Sequence, residues 1–182
     1  MTVPMISVIG WHNAGKTTFI EHLLKELKRR GLRVATIKHS REDFELDRSG
    51  TDTFRYAQAG SDVVAISAQH KIAFIERRAR EMSLEEIVKR LPDDLDLVVL
   101  EGYKRATVPK IEVLRKGIGE GRIAASKELL ALIVDEPEKT MSADVRCFSS
   151  TDASGVVDLL EAQGLIKRKR AGGEDSPCQS SS

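Results

Sequence analysis

The sequence predicts an α/β fold, a mostly parallel sheet with helices on both faces, and three observations carry that prediction. Apolar runs of strand length alternate along the chain with segments of helical period, the pattern of parallel strands joined by crossover helices. The first run, residues 5–9, is rich in apolar and β-branched residues and passes through a glycine-bounded loop into a helical segment. A later run, Leu97, Val98, Val99 and Leu100, is apolar without alternation, as a strand covered on both faces is, and it ends in Glu101.

Each element has its own signal. After the first loop, Phe19, Ile20, Leu23, Leu24 and Leu27 recur at helical spacing, with Glu21, Lys25, Glu26 and Lys28 opposite and Gly31 as the stop. RVATIKH, residues 33–39, reads as the second strand. The polar stretch SREDFELDRSG has no period and reads as a loop. Residues 51–59 form a short helix that stops at Gly60. DVVAIS (62–67) and KIAFIE (71–76) pair across a short turn. Ser83 and Glu86 make a capping box for a helix that ends near Leu91, before Pro92. Strands are expected at 95–100, 111–114 and 129–134, with a weaker one at Cys147 and Phe148. Asp152 caps a last amphipathic helix carrying Val156, Val157, Leu159 and Leu160, closed by Gly164. From Lys167 the chain is charge, glycine and serine with nothing to bury. One domain over 1–166 and a disordered tail over 167–182 follow.

The chemistry begins at GWHNAGKTT, residues 10–18, which fits G-x-x-x-x-G-K-[ST]. Gly10 and Gly15 let the backbone turn its N–H groups inward on an anion. The N–H groups of His12, Asn13, Ala14, Gly15, Lys16 and Thr17, with Thr18 beside them, are the cradle. Lys16 sets a point charge against the terminal phosphates, and the Thr17 hydroxyl is placed to hold Mg²⁺. The helix that follows aims its positive end at the same site. Strand, loop and helix in that order make this a P-loop NTPase-like fold, with residues 1–166 as its nucleotide-binding domain.

Composition excludes several other functions. Twenty-nine basic and 28 acidic side chains leave a net charge of +1, so no global field favours nucleic acid or an anionic membrane. Aromatic content of 4% argues against a base-stacking surface. No apolar stretch is long enough to span a bilayer, and the apolar N-terminus lacks the basic region of a signal peptide. Cys147 and Cys178 form no disulfide or metal pattern, which fits a cytoplasmic protein. The four histidines make no ligand-spaced cluster.

In a parallel sheet, ligands bind beyond the carboxyl ends of the strands. Glu101 leaves its strand at that edge and answers the need of a phosphate loop for a second acidic group near the metal. Asp43, Asp47 and Asp52 lie in the polar loop after the second strand, where nucleotide switches sense the terminal phosphate. One of them is expected to complete the Mg²⁺ site; periodicity does not choose among the three, and Asp47 is the one carried forward. Asp135, beyond the strand at 129–134, is the candidate reader of a guanine base, although no Asn-Lys-x-Asp element occurs.

Taken together, GWHNAGKTT, TIKHS, DRSGTDTFRYAQAGS and DLVVLEGYK resemble the molybdopterin-guanine dinucleotide biosynthesis adapter family, MobB, over roughly residues 5–135. One departure is that Ser40 and Arg41 stand where the family has further histidines. The resemblance implies a small homodimeric GTP-binding protein with Mg²⁺ and slow intrinsic hydrolysis. Its implied partner is the molybdenum cofactor guanylyltransferase, which joins GMP to molybdopterin, and molybdopterin itself is a possible ligand. Two rivals share the phosphate loop. An ATP-dependent ligase or kinase similar to dethiobiotin synthetase would consume ATP briskly with a small acceptor. A metal-insertion GTPase would carry histidine-rich or paired-cysteine segments, which are missing from the sequence.

Overall fold

The computed structural model describes residues 3–40, 47–138 and 144–167. They fall into two compact units, Met1–His39 with Pro92–Ser182, and Ser40–Leu91. The elements in chain order are β1 (Met5–Gly10), α1 (Lys16–Arg29), β2 (Val34–Lys38), α2 (Asp52–Gln58), β3 (Val63–Ala68), β4 (Lys71–Glu76), α3 (Leu84–Val88), β5 (Leu97–Glu101), β6 (Lys110–Val113), β7 (Leu129–Ile133), β8 (Arg146–Phe148) and α4 (Ala153–Ala162). Every strand and helix expected from the sequence within the described residues is present. The tail beyond Lys167 and the aspartate at 43 lie outside them.

The first unit is a six-stranded sheet in the order β2-β5-β1-β6-β7-β8, parallel throughout. Alternation along the strands sorts their side chains. Ile6, Val8, Leu97, Val99, Ile111, Val113, Ala131 and Ile133 share a core with Phe19, Ile20, Leu23 and Leu27 of α1 and Val156, Val157, Leu159 and Leu160 of α4. Burying a side chain of that size stabilises by about 1.5–3 kcal/mol, so this layer dominates the unit. The odd rows of β1 and the even rows of β6 face the other way. With the even row of β7 they bury Ile9 and Leu132 but also three polar residues, Ser7, Lys110 and Glu112, each at most 2% exposed.

Helices α1 and α4 are also joined through Arg30. Its guanidinium donates to Glu26 (2.7 Å), Asp158 (2.6 Å), Glu161 (3.0 Å) and the Ser154 carbonyl and hydroxyl (3.1 Å each). Hydrogen bonding from Arg29, joined by Arg30, holds the Glu26 carboxyl down from an ordinary 4.5 to about 2. Arg30→Met is expected to cost about 1–3 kcal/mol in urea unfolding at neutral pH, because it strands several partly buried acceptors. Since the folded state depresses the Glu26 pKa, its stabilisation is complete above about 4.5 and is lost as pH falls through about 2. The difference between Arg30→Met and the parent should narrow over the same range.

The second unit holds α2, the antiparallel β3–β4 hairpin and α3. Thr51 caps α2 by accepting from the Phe54 N–H, and the Ser83–Glu86 capping box opens α3. Its large apolar residues stay open: Val63, Ile66, Ile72 and Phe74 are 50–64% exposed. A two-stranded hairpin with such a surface has little core of its own.

Candidate functional site

Strand β1 lies between β5 and β6, so the chain leaving its carboxyl end runs between the tips of both. Gly10 occupies that exit, and a Cβ there would lie 2.5 Å from the Val113 carbonyl oxygen of β6. The loop then turns through Asn13 at φ 60° and Gly15 at φ 93°, with Ala14 buried and its N–H donating to the Trp11 carbonyl at 3.3 Å. His12 is exposed. Helix α1 starts without a side-chain cap, whereas Thr51, Ser83 and Asp152 cap the other three helices. Its first N–H groups are therefore left to an anion.

The Lys16 ammonium arches back over its own loop, donating to the carbonyls of Trp11 (2.7 Å) and Gly10 (3.3 Å). Thr17 Oγ1 donates to Glu101 Oε1 at 3.2 Å. The parallel register sets Glu101 opposite both Val8 of β1 and Lys38 of β2. Lys38 Nζ lies 3.5 Å from the same Glu101 oxygen. Beyond Glu101 the chain turns sharply through Gly102 and Tyr103, tied down by the Ser7 hydroxyl, which donates to the Gly102 carbonyl at 2.6 Å. That turn carries Lys104 to a point 5.5 Å from the centroid of the Trp11 ring. Burial holds the Lys16 pKa below the ordinary lysine value; Lys104 and Lys38 push the same way, and Glu101 opposes them. Lys16 thus feels two other ammonium groups and one carboxylate, a field that invites a multiply charged anion.

The pair of oxygens on Thr17 and Glu101 suits Mg²⁺. Adjacent ligands of an octahedral Mg²⁺ with bonds of 2.0–2.1 Å stand about 2.9 Å apart, close to the 3.2 Å observed between these two atoms. Among the described residues no group of three or more His, Cys, Asp and Glu could hold a metal by itself. That is the usual condition of Mg²⁺ in phosphate sites, where phosphate oxygens and water complete the shell.

Of the residues singled out from the sequence, the fold brings Gly10, Lys16, Thr17 and Glu101 together. Two other candidates belong to other elements. Asp47 belongs to the second unit, where its carboxylate accepts from the Thr51 hydroxyl (2.8 Å) and the Arg48 N–H (2.9 Å) ahead of α2. Hydrogen bonding from Thr53 and Thr51 lowers its pKa. Asp135 follows β7, two strands from β1, and accepts from the Lys116 N–H at 3.0 Å. It also lines a cleft of about 450 Å³ with Pro137, Phe148 and Asp152.

Sequence reading missed Trp11, Lys104 and Glu112. Trp11 falls among the variable positions of the loop, where spacing carries no information. Lys104 had a usable signal, a cation three residues beyond Glu101. Glu112 had one too, a charge in the middle of a strand.

Comparison with known proteins bears directly on this arrangement. The family model described as "Molybdopterin guanine dinucleotide synthesis protein B" matches residues 5–135. The molybdopterin-guanine dinucleotide biosynthesis adapter protein of Escherichia coli is 27% identical over 163 residues, 87% of this chain and 91% of that one. Its Haemophilus influenzae counterpart is 31% identical over 136 residues, 74% of this chain and 76% of that protein. A putative adapter protein of Methanocaldococcus jannaschii is 39% identical over 124 residues, 65% of this chain, and there the match spans only half of the relative's length. The crystal structure of Bacillus subtilis MobB superposes with a TM-score of 0.66 at 27% identity, covering 91% of this chain and 99% of that one. With 131 residues matched by one family model and a fold shared over nearly the whole of a solved member, the chain belongs to the MobB family.

Proposed function

We propose that the chain is a GTP-binding adapter that assists guanylylation of molybdopterin to the dinucleotide form of the molybdenum cofactor, with at most slow GTP hydrolysis. The observation that carries the nucleotide half is the Thr17–Glu101 contact at the mouth of an uncapped helix, under the Lys16 ammonium. The pathway half rests on family membership and on the names of the relatives.

In this reading the N–H groups from His12 to Thr17, with Thr18 beside them, and the Lys16 ammonium bind the β- and γ-phosphates. Thr17 and Glu101 hold Mg²⁺, with Asp47 as a further contributor, and Asp135 accepts from the guanine base. Lys38 is paired to Glu101 by an exposed contact; Mg²⁺ would take that carboxylate and free the lysine for phosphate. The partner is the molybdenum cofactor guanylyltransferase, with molybdopterin as a second ligand. The exposed Val63, Ile72 and Phe74, on one face of the β3–β4 hairpin by register, support a homodimer joined through that hairpin. No described helix is long and apolar enough to cross a membrane, and a cytoplasmic site of action fits the pathway.

The test is calorimetric titration with GTP, GDP and ATP, with and without Mg²⁺, together with mass spectrometry of any co-purified nucleotide. GTP should bind best and require Mg²⁺. Glu101→Gln should raise the Mg²⁺ concentration needed by about 10–100-fold; an unchanged magnesium titration removes Glu101 from the site. Brisk ATP consumption with an added small acceptor would instead favour the ligase or kinase reading.

A further inference from the structure

The segment between β6 and β7 is held unusually firmly for a surface connection, and it grips the phosphate loop. Glu112, 0% exposed in the middle of β6, points away from the helices. Its Oε1 accepts from the Ile123 N–H at 2.5 Å and its Oε2 from the Ala124 N–H at 3.2 Å. A carboxylate buried this way is costly unless its oxygens are satisfied, and both are satisfied by backbone of this one segment. At the other end, the Lys116 N–H donates to Asp135, and Ile118 donates back to the Arg115 carbonyl at 3.0 Å. The part between these anchors meets Trp11. The indole Nε1 donates to the Gly121 carbonyl at 2.9 Å. The ring lies so close to Gly119, at φ +75°, that an added Cβ would sit 2.2 Å from Trp11 Cγ and Cδ1. Only glycine allows that approach. Lys104 stands 5.5 Å from the ring centroid.

The backbone of Trp11 is no less occupied. Its carbonyl accepts from Lys16 Nζ and from the Ala14 N–H. The same residue is therefore clasped through its side chain and holds the phosphate-binding ammonium through its main chain. We propose that Trp11 is a positioning residue for the nucleotide site. Seated on Gly119 and Gly121 of a connection that Glu112 anchors, it sets the conformation of the phosphate loop and the resting place of Lys16. The β6–β7 connection is thereby coupled to the triphosphate. This rests on the phosphate-loop reading above, and by reciprocity a bound triphosphate stabilises the seated indole.

Trp11 is the sole tryptophan, so its fluorescence reports the clasp. Gly119→Ala drives a methyl into the ring without touching the core, and Trp11→Ala removes the ring. Trp11→Phe keeps an aromatic ring at the position but loses the N–H and the bicyclic extent of the indole. In nucleotide-free protein, Gly119→Ala should red-shift the emission and increase acrylamide quenching. In GTP titrations, Gly119→Ala and Trp11→Ala should each weaken binding by at least about fivefold, the lower end of ordinary site coupling, with Trp11→Phe recovering most of the loss. Thermal unfolding of all three should stay cooperative, and the parent's emission should change on adding Mg-GTP. Unchanged quenching in Gly119→Ala overturns the seating. Parent-like GTP affinity in both Gly119→Ala and Trp11→Ala overturns the positioning role while leaving the nucleotide site intact. A parent protein that binds no GTP overturns the proposed function, and the positioning role with it, whatever the quenching shows.

Discussion

Lys16→Ala is expected to weaken GTP binding at least tenfold, about 1.4 kcal/mol, and to leave the fold unchanged. Among the described residues the ammonium donates to two carbonyls of its own loop, so its removal strands no partner in the described core. Alanine is also the most favourable residue for the first turn of α1. The loss should be greater for GTP than for GDP, because the missing charge faces the terminal phosphates. A pH dependence identifies the group further. Burial lowers the Lys16 pKa, and phosphate binds the protonated form. The parent's affinity should therefore fall as pH rises through a value below that of ordinary lysine. In Lys16→Ala that alkaline decline should vanish. Equal GTP affinity in parent and variant, or an identical alkaline decline in both, would remove Lys16 from the phosphate site.

The second large effect falls on the fold and the site together. Gly10→Ala places a Cβ 2.5 Å from the Val113 carbonyl oxygen and 3.5 Å from the Lys16 side chain. Gly10 and Val113 are partners at the end of the β1–β6 ladder, so neither backbone can yield without opening the sheet. Overpacking of this kind costs about 1–3 kcal/mol, read as a lower urea midpoint with an unchanged slope. Displacement of the loop's first residue should also abolish measurable GTP binding. A variant as stable as the parent and binding GTP equally well would show that this close approach has no consequence.

Much of this was legible in the sequence, for identifiable reasons. β1 and β5 are buried on both faces and therefore read as plain apolar runs; α1 carries a clean period; the phosphate loop is a short-range motif whose meaning is contained in nine residues. Glu101 could be placed because a strand's polarity assigns its last residue to an edge. Side-to-side order is a different kind of information. Nothing local says that β5 inserts between β1 and β2, or that Lys38 and Glu101 finish in register. The hold on Trp11 spans 110 positions, and no periodicity reports across such a distance. Glu112 hides for a related reason: within KIEV it looks like the outward residue of an alternating strand, and only the connection folding back over that face makes it interior. Asp47 is a different case. Its local hydrogen bonds to Thr51 and Arg48 are the ordinary work of an aspartate ahead of a helix.

The position of β5 has a consequence for how this chain is made. β1 and β2 are not neighbours, and both need β5 between them: Met5 pairs with Val98 and Val34 with Leu97. Until the ribosome has delivered Glu101, the first two strands emerge with no partner to zip against. Meanwhile the stretch between them and β5 can close its hairpin from contacts only a few residues apart. The nascent polypeptide thus carries two early apolar strands unpaired until β5 has been made, and the ligand-gripping turn can take shape only after that wait is over.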